Sequence, residues 1–237
     1  MKLGLGTVQF GLDYGVSNST GEISNDEASL ILDTARSGGI RTIDTAAAYG
    51  SSETRLGSLG LEGFEVVSKL SGFVPSELDK AVRSSLARLK VASLDGLLLH
   101  RPGELNGPDG DEIWSTLEHL KSEGLIKKLG VSVYSPEDLD RLPQGLALDL
   151  VQLPYSIVDR RMETYGWLAR LKEQAVEVHA RSAFLQGLLL MEPAERPQHF
   201  SRWNDIWQIF ETWLSNEKLT RLEACLGFAL ANPFIDR

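Results

Sequence analysis

The chain is short of cysteine, of basic charge and of long apolar runs, and each shortage removes a class of protein. Cys225 is the only cysteine in 237 residues, so no intrachain disulfide can form, and a reducing compartment is the expected setting. Acids outnumber bases by 33 to 24, for a net charge of -9. That is the wrong sign for a surface that tracks phosphate backbones, and nucleic acid is not an expected partner. No apolar run approaches the ~18 residues of a membrane span, and the opening MKLGLGTVQF is too short and glycine-broken for a signal peptide. The expected location is the cytoplasm, with no membrane partner. CxxC, HExxH and the Gly-x-Ser-x-Gly elbow are all missing, so no metal is expected.

What is present has a beat. Short apolar runs begin near Lys2, Ile40, Glu65, Leu94, Ile126, Leu150 and Glu177, spaced 24 to 32 residues apart from the second onward. Amphipathic stretches with capping signals lie between them, the alternation of βα units. Ser24 with Glu27 reads as a capping box before a helix stopped by Gly38. Leu78, Val82, Leu86 and Leu89 form one helical stripe, and Ser135, Pro136 and Asp138 open another helix. Apolar strands such as LDGLLL imply a parallel sheet covered by helices. An open doubly wound sheet and a (β/α)8 barrel both fit, but a Rossmann sheet needs GxGxxG after its first strand. The chain offers GLGTVQFG, without the third glycine in place, so the barrel is preferred. The segment GLLLMEPAERPQHFSRWN reads as a long βα loop. The chain stops at Phe234 to Arg237, where an eighth strand would be starting. The expectation is one TIM-barrel domain over residues 1–237 with seven strands and seven helices, incomplete at its C-terminal end.

Chemistry in such a barrel sits at the C-terminal ends of the strands. Asp44 closes RTID, Tyr49 follows in the next loop, Lys69 closes EVVSK and His100 closes GLLLH. Four ionisable residues at the ends of three consecutive strands form a constellation that scattered surface charge would not produce.

With those residues in place the chain resembles the aldo-keto reductase family. GLGTVQFG, IDTAAAYGSSETRLG, VVSKL, LLLHRP, GLIKKLGVSVY, LVQLPYS and RSAFLQGLL follow the family's order along almost the whole chain. The resemblance implies an NADP(H)-dependent reduction of an aldehyde or ketone, a small-molecule carbonyl substrate, to an alcohol. Tyr49 would be the general acid, with the Lys69 ammonium favouring its phenolate form. Asp44 would pair with Lys69, and His100 would orient the carbonyl. No side chain supplies hydride, which must come from a nicotinamide. By the same resemblance the cofactor channel is lined by Thr7, Asp44, Ser132, Gln152, Arg181, Ser182, Phe184, Leu185, Gln186 and Gly187. Ser132 and Gln152 would meet the carboxamide, and the backbone after strand seven the pyrophosphate.

The chain also departs from the family. Val133 stands where many relatives carry asparagine, and Arg181 where many stack an aromatic on the nicotinamide, a role its planar guanidinium could take. The segment that holds the adenosine 2′-phosphate in relatives has no counterpart. A cofactor-sensing barrel with little or no turnover, or an inactive fragment, is the alternative expectation. An open barrel edge also allows self-association, so monomer and homo-oligomer both remain open.

Overall fold

The computed structural model describes residues 1–237. Seven short strands form where the apolar runs were read: β1 (Gly4–Gly6), β2 (Thr42–Asp44), β3 (Glu65–Leu70), β4 (Gly96–Leu99), β5 (Leu129–Ser132), β6 (Leu150–Pro154) and β7 (Glu177–Arg181). All are parallel, and each pairs with its neighbours in chain order. The helices are α1 (Asn25–Ser37), α2 (Ser52–Leu59), α3 (Leu78–Leu89), α4 (Gly110–Ser122), α5 (Pro136–Asp140), α6 (Arg161–Thr164), α7 (Trp167–Glu173), α8 (Asn204–Glu217) and α9 (Arg221–Ala231). The fold is the expected (β/α)-barrel type, with β1 and β7 not paired to one another. Along β7 the amides of Asp236 and Arg237 donate to the Val178 carbonyl, and the Ala180 amide donates to the Arg237 carbonyl. The last two residues thus run beside β7 where the eighth strand was placed.

Nine helices stand where seven were expected, and the breaks have local causes. Gly166, at φ 77°, separates α6 from α7. Lys218 ends α8 in the left-handed region, and a Thr220–Glu223 capping box then starts α9. Ser24 accepts from the Glu27 amide as read, and Ser135 with Asp138 forms a full capping box. The α3 stripe is buried at all four positions.

Strand alternation sorts the side chains onto two faces. Ile43, Val66, Leu97, Leu99, Leu129, Val131, Val151, Leu153 and Val178 join one large core between sheet and helices. Val67, Leu98 and Leu150 point the other way and fill the barrel interior. Two glycines thin that interior: a Cβ on Gly96 would lie 2.9 Å from Leu150 Cδ2, and one on Gly130 would lie 1.6 Å from the Leu150 carbonyl oxygen. The segment after β7 is the long loop expected, folded into three short 3-10 turns. It closes a second, smaller core of Leu188, Leu189, Trp207, Phe210, Leu214, Ala224 and Cys225. There burial pushes the Cys225 thiol up to about 11, so it stays protonated and inert at neutral pH. On α8 Trp207 and Phe210 lie inside, whereas Trp213 and, just before the helix, Trp203 are partly exposed.

One acid ties α2 to its neighbours. Glu53 is buried and accepts from Ser68 Oγ on β3 at 2.6 Å, from Ser85 Oγ on α3 and from Arg88 Nε at 2.8 Å. Removing it leaves the buried Ser68 and Ser85 hydroxyls without their acceptor and Arg88 without its ion-pair partner. Glu53→Ala is expected to cost about 3 kcal/mol, measured by urea unfolding, with Glu53→Gln costing less because its amide oxygen still accepts.

Candidate active site

The inward rows of the strands end in polar residues at one rim of the barrel. Asp44 continues the inward face of β2, Lys69 that of β3, Ser132 of β5, Gln152 of β6 and Arg181 of β7, while His100 directly follows β4. One period-2 rule therefore delivers six polar groups to a single bowl, although they span residues 44 to 181.

Lys69 is the most constrained of them. Its side chain has no solvent exposure, and Nζ donates to Asp44 Oδ1 at 2.8 Å, to Asp44 Oδ2 at 2.7 Å and to the Thr45 carbonyl at 2.9 Å. Burial pushes the ammonium below its ordinary range, with the Asp44 carboxylate opposing. Asp44 is itself held from behind. Its carbonyl accepts the Thr7 amide at 3.0 Å and the Thr7 hydroxyl at 2.9 Å. Its Oδ1 takes a further bond from Gln152 Nε2 at 2.7 Å, and Ser132 Oγ lies 3.4 Å from Gln152 Oε1.

Tyr49 is seated by two glycines. A Cβ on Gly11 would lie 2.1 Å from the Tyr49 carbonyl, and one on Gly50, at φ 55°, would lie 2.1 Å from the Gly11 carbonyl. The loops after β1 and β2 can touch only because both positions lack a side chain. Lys69 Nζ sits 5.1 Å from the centre of the Tyr49 ring, and the His100 ring meets that ring edge-on at 5.9 Å. The sequence reading had Lys69 drawing Tyr49 towards its phenolate. In the folded chain burial, and after it the Asp44 charge, push the hydroxyl well above its ordinary 10. Tyr49 thus keeps its proton. Burial, then the Lys69 charge, pull His100 from 6.5 down to about 4, which leaves a neutral imidazole.

Those four residues, Asp44, Tyr49, Lys69 and His100, were read from the sequence and come together. The Gln152–Asp44 bond and the Glu53 cluster were not read, because no spacing in one sequence pairs residues so far apart. Of the aromatic residues near the βα loops, Tyr14 and Tyr134 reach solvent, whereas Phe10 and Tyr155 are buried. A separate cavity of about 400 Å³ lies between the long loop after β7 and α8, lined by Arg196, Phe200, Asn204 and Trp207 among others, and holds none of the tetrad.

The Aldo/keto reductase family model matches residues 2–236. The chain belongs to the aldo/keto reductase family. It is 28% identical to the uncharacterized oxidoreductase YqkF of Bacillus subtilis over 67% of this chain and 53% of that one. Against the methylglyoxal reductase DkgA of Escherichia coli it is 29% identical, over 79% of this chain and 68% of the other. The solved glycerol dehydrogenase of Gluconobacter oxydans superposes with a TM-score of 0.77 over 99% of this chain and 80% of that one; at 24% identity this shows the shared fold. The chain spans about half the length of the first curated relatives it matches.

For an aldo/keto reductase, the rim fits a nicotinamide nucleotide in its donor set. Ser132 and Gln152 present a hydroxyl and a carboxamide beside Asp44, all three on inward positions. After β7, Ser182, Leu185, Gln186 and Gly187 have φ of 59°, 46°, 56° and 87°. The amides of Phe184, Gln186 and Gly187 find no acceptor in the protein and are free to donate to a bound phosphate. Other positions read as channel residues have structural duties. Thr7 is fully buried against Asp44 and Ser52, while Phe184 and Leu185 pack on the smaller core. At Gly187 a Cβ would meet Ser17 Oγ at 1.8 Å, so the close approach it permits is that of the N-terminal loop.

Nuclear magnetic resonance titration of the His100 ring is expected to give a midpoint near 4. Lys69→Met should move that midpoint upward, because it removes a neighbouring cation and leaves Asp44. Since the folded value lies below the unfolded 6.5, protonation favours unfolding, and stability falls as pH drops from about 6.5 towards 4. A midpoint unchanged by Lys69→Met would show that Lys69 does not act on His100.

Proposed function

We propose that this chain carries the active site of an NADP(H)-dependent aldo-keto reductase that reduces an aldehyde or ketone to an alcohol. The observation that carries this reading is the Tyr49 ring set edge-on against His100 at 5.9 Å and 5.1 Å from a buried Lys69 ammonium that is paired with Asp44. Methylglyoxal reductase, a relative, bears the name of a carbonyl reduction.

Carbonyl reduction needs a proton on oxygen as hydride arrives at carbon, so the acid must hold its proton at working pH and still be half-buried. Tyr49 meets both demands. His100 at neutral pH keeps one N–H donor and one lone pair, which suits it to fix the carbonyl oxygen against the Tyr49 hydroxyl. As Tyr49 gives up its proton, negative charge develops above the Lys69 ammonium, which is already oriented by Asp44 and needs no rearrangement to stabilise it. The bound nicotinamide supplies the hydride. Ser132 and Gln152 would hold its carboxamide, with Gln152 keeping its second bond to Asp44. The free amides of Phe184, Gln186 and Gly187 would receive the pyrophosphate.

This reading predicts that Tyr49→Phe lowers kcat for NADPH-dependent aldehyde reduction by at least about a hundredfold and leaves NADPH affinity, followed by tryptophan quenching, within a factor of about two. Undiminished turnover in that variant would remove Tyr49 from the mechanism.

A further inference from the structure

Arg181 is an unneutralised cation in a chain with more acids than bases. It is the last inward residue of β7, on the face that carries Lys69 and Gln152. Its guanidinium stacks over the Tyr134 ring at 4.1 Å, Nη2 donates to the Val133 carbonyl at 2.8 Å and Nη1 to Ser182 Oγ at 3.1 Å. No carboxylate lies within ion-pair distance. The nearby acids are committed elsewhere, Asp44 to Lys69 and Gln152, and Asp159 to Arg161 at 2.9 and 2.8 Å. The remaining N–H groups of Arg181 have no protein acceptor, and the side chain is only half-buried.

The charge is felt at the reacting end of the bowl. It lowers the pKa of Tyr49, Lys69, His100 and Tyr14 alike, though in each case it is outweighed or joined by burial. Since Lys69 is neutralised by Asp44, Arg181 gives the bowl a net positive charge. A guanidinium held rigid by a carbonyl, a hydroxyl and an aromatic face, with free donors left over, has little conformational entropy left to lose on binding. The protein's net charge of -9 repels anions at a distance, so only a local cation of this kind would admit one.

We infer that Arg181 is a specificity-determining residue, which anchors an oxyanion, a carboxylate or its sulfonate or phosphate equivalent, borne by the carbonyl substrate. The inference rests on the reductase reading for what reacts, but the anion preference stands or falls separately. Arg181 would take the substrate's charged end while the carbonyl lies between Tyr49 and His100.

The test compares para-formylbenzoate with para-formylbenzamide, which share a shape and differ in charge. The wild-type chain is expected to show kcat/KM about ten- to a hundredfold higher for the carboxylate, the span of one charge-assisted hydrogen bond. Arg181→Gln should bring that ratio close to one, and Arg181→Lys should keep part of it. Calorimetric titration with para-(hydroxymethyl)benzoate and its amide gives the same comparison without turnover. If the wild-type chain binds the two equally, or binds neither, the inference is overturned. It is also overturned if Arg181→Gln weakens NADPH binding while the ratio survives, because Arg181 then serves the cofactor. An anion preference that disappears in Arg181→Gln, with neither aldehyde reduced, would uphold the anchor and sink the reductase reading instead.

Discussion

A lysine ammonium with no access to water sets the terms for this structure. Lys69 points into the barrel because the pleat of β3 sends Val67 and Lys69 to the same side, and there only a carboxylate can keep the charge. Asp44 supplies it from the neighbouring strand, with both oxygens engaged. Breaking such a pair by removing one member costs about 3–5 kcal/mol, because the survivor is buried and unpaired. The backbone pairing of β1, β2 and β3 must therefore be right before the pair can form. Thr7, which braces the Asp44 carbonyl, belongs to the segment that leaves β1.

The same pair fixes the electrostatics around it. Burial and the Asp44 carboxylate both push the Tyr49 hydroxyl upward, and the tyrosine remains protonated. His100 sits where the balance differs: burial and the Lys69 charge act in one direction, and the imidazole stays neutral. Two neighbouring groups are thus driven to opposite ends of their proton affinity by one ion pair and a shared lack of water, the separation that acid catalysis uses.

Behind the bowl the outward rows do a different job. Ser68 precedes Lys69 and so faces the helices, where Glu53 binds it together with Ser85 and Arg88. The residue before the buried lysine is thereby locked to α2 and α3, and the lysine inherits that rigidity. At the other side of the rim, the loop after β7 is pinned by its own small core of Leu188, Leu189, Trp207 and Phe210. Four of its residues, Ser182, Leu185, Gln186 and Gly187, are held in the left-handed region. Strain of this kind persists only where the surroundings over-determine it.

Much of this was legible along the chain. Apolar runs and capping residues placed all seven strands and the main helices, because strand pleat and helix period are local properties. Asp44, Tyr49, Lys69 and His100 could be picked out because each falls in or just after one of those runs. The two extra helix breaks at Gly166 and Lys218 escaped, since each turns on the conformation of a single residue. So did the sign of the Tyr49 shift, because the sequence does not show how deeply the hydroxyl is buried. The residue types and their spacing determined which groups reach the rim. Only the tertiary structure decided that Gln152 binds Asp44, that Glu53 gathers two helices and a strand, and that Arg181 has no acid to neutralise it. Those are pairings across as many as 108 residues, fixed by strand order and burial rather than by any local preference of the chain.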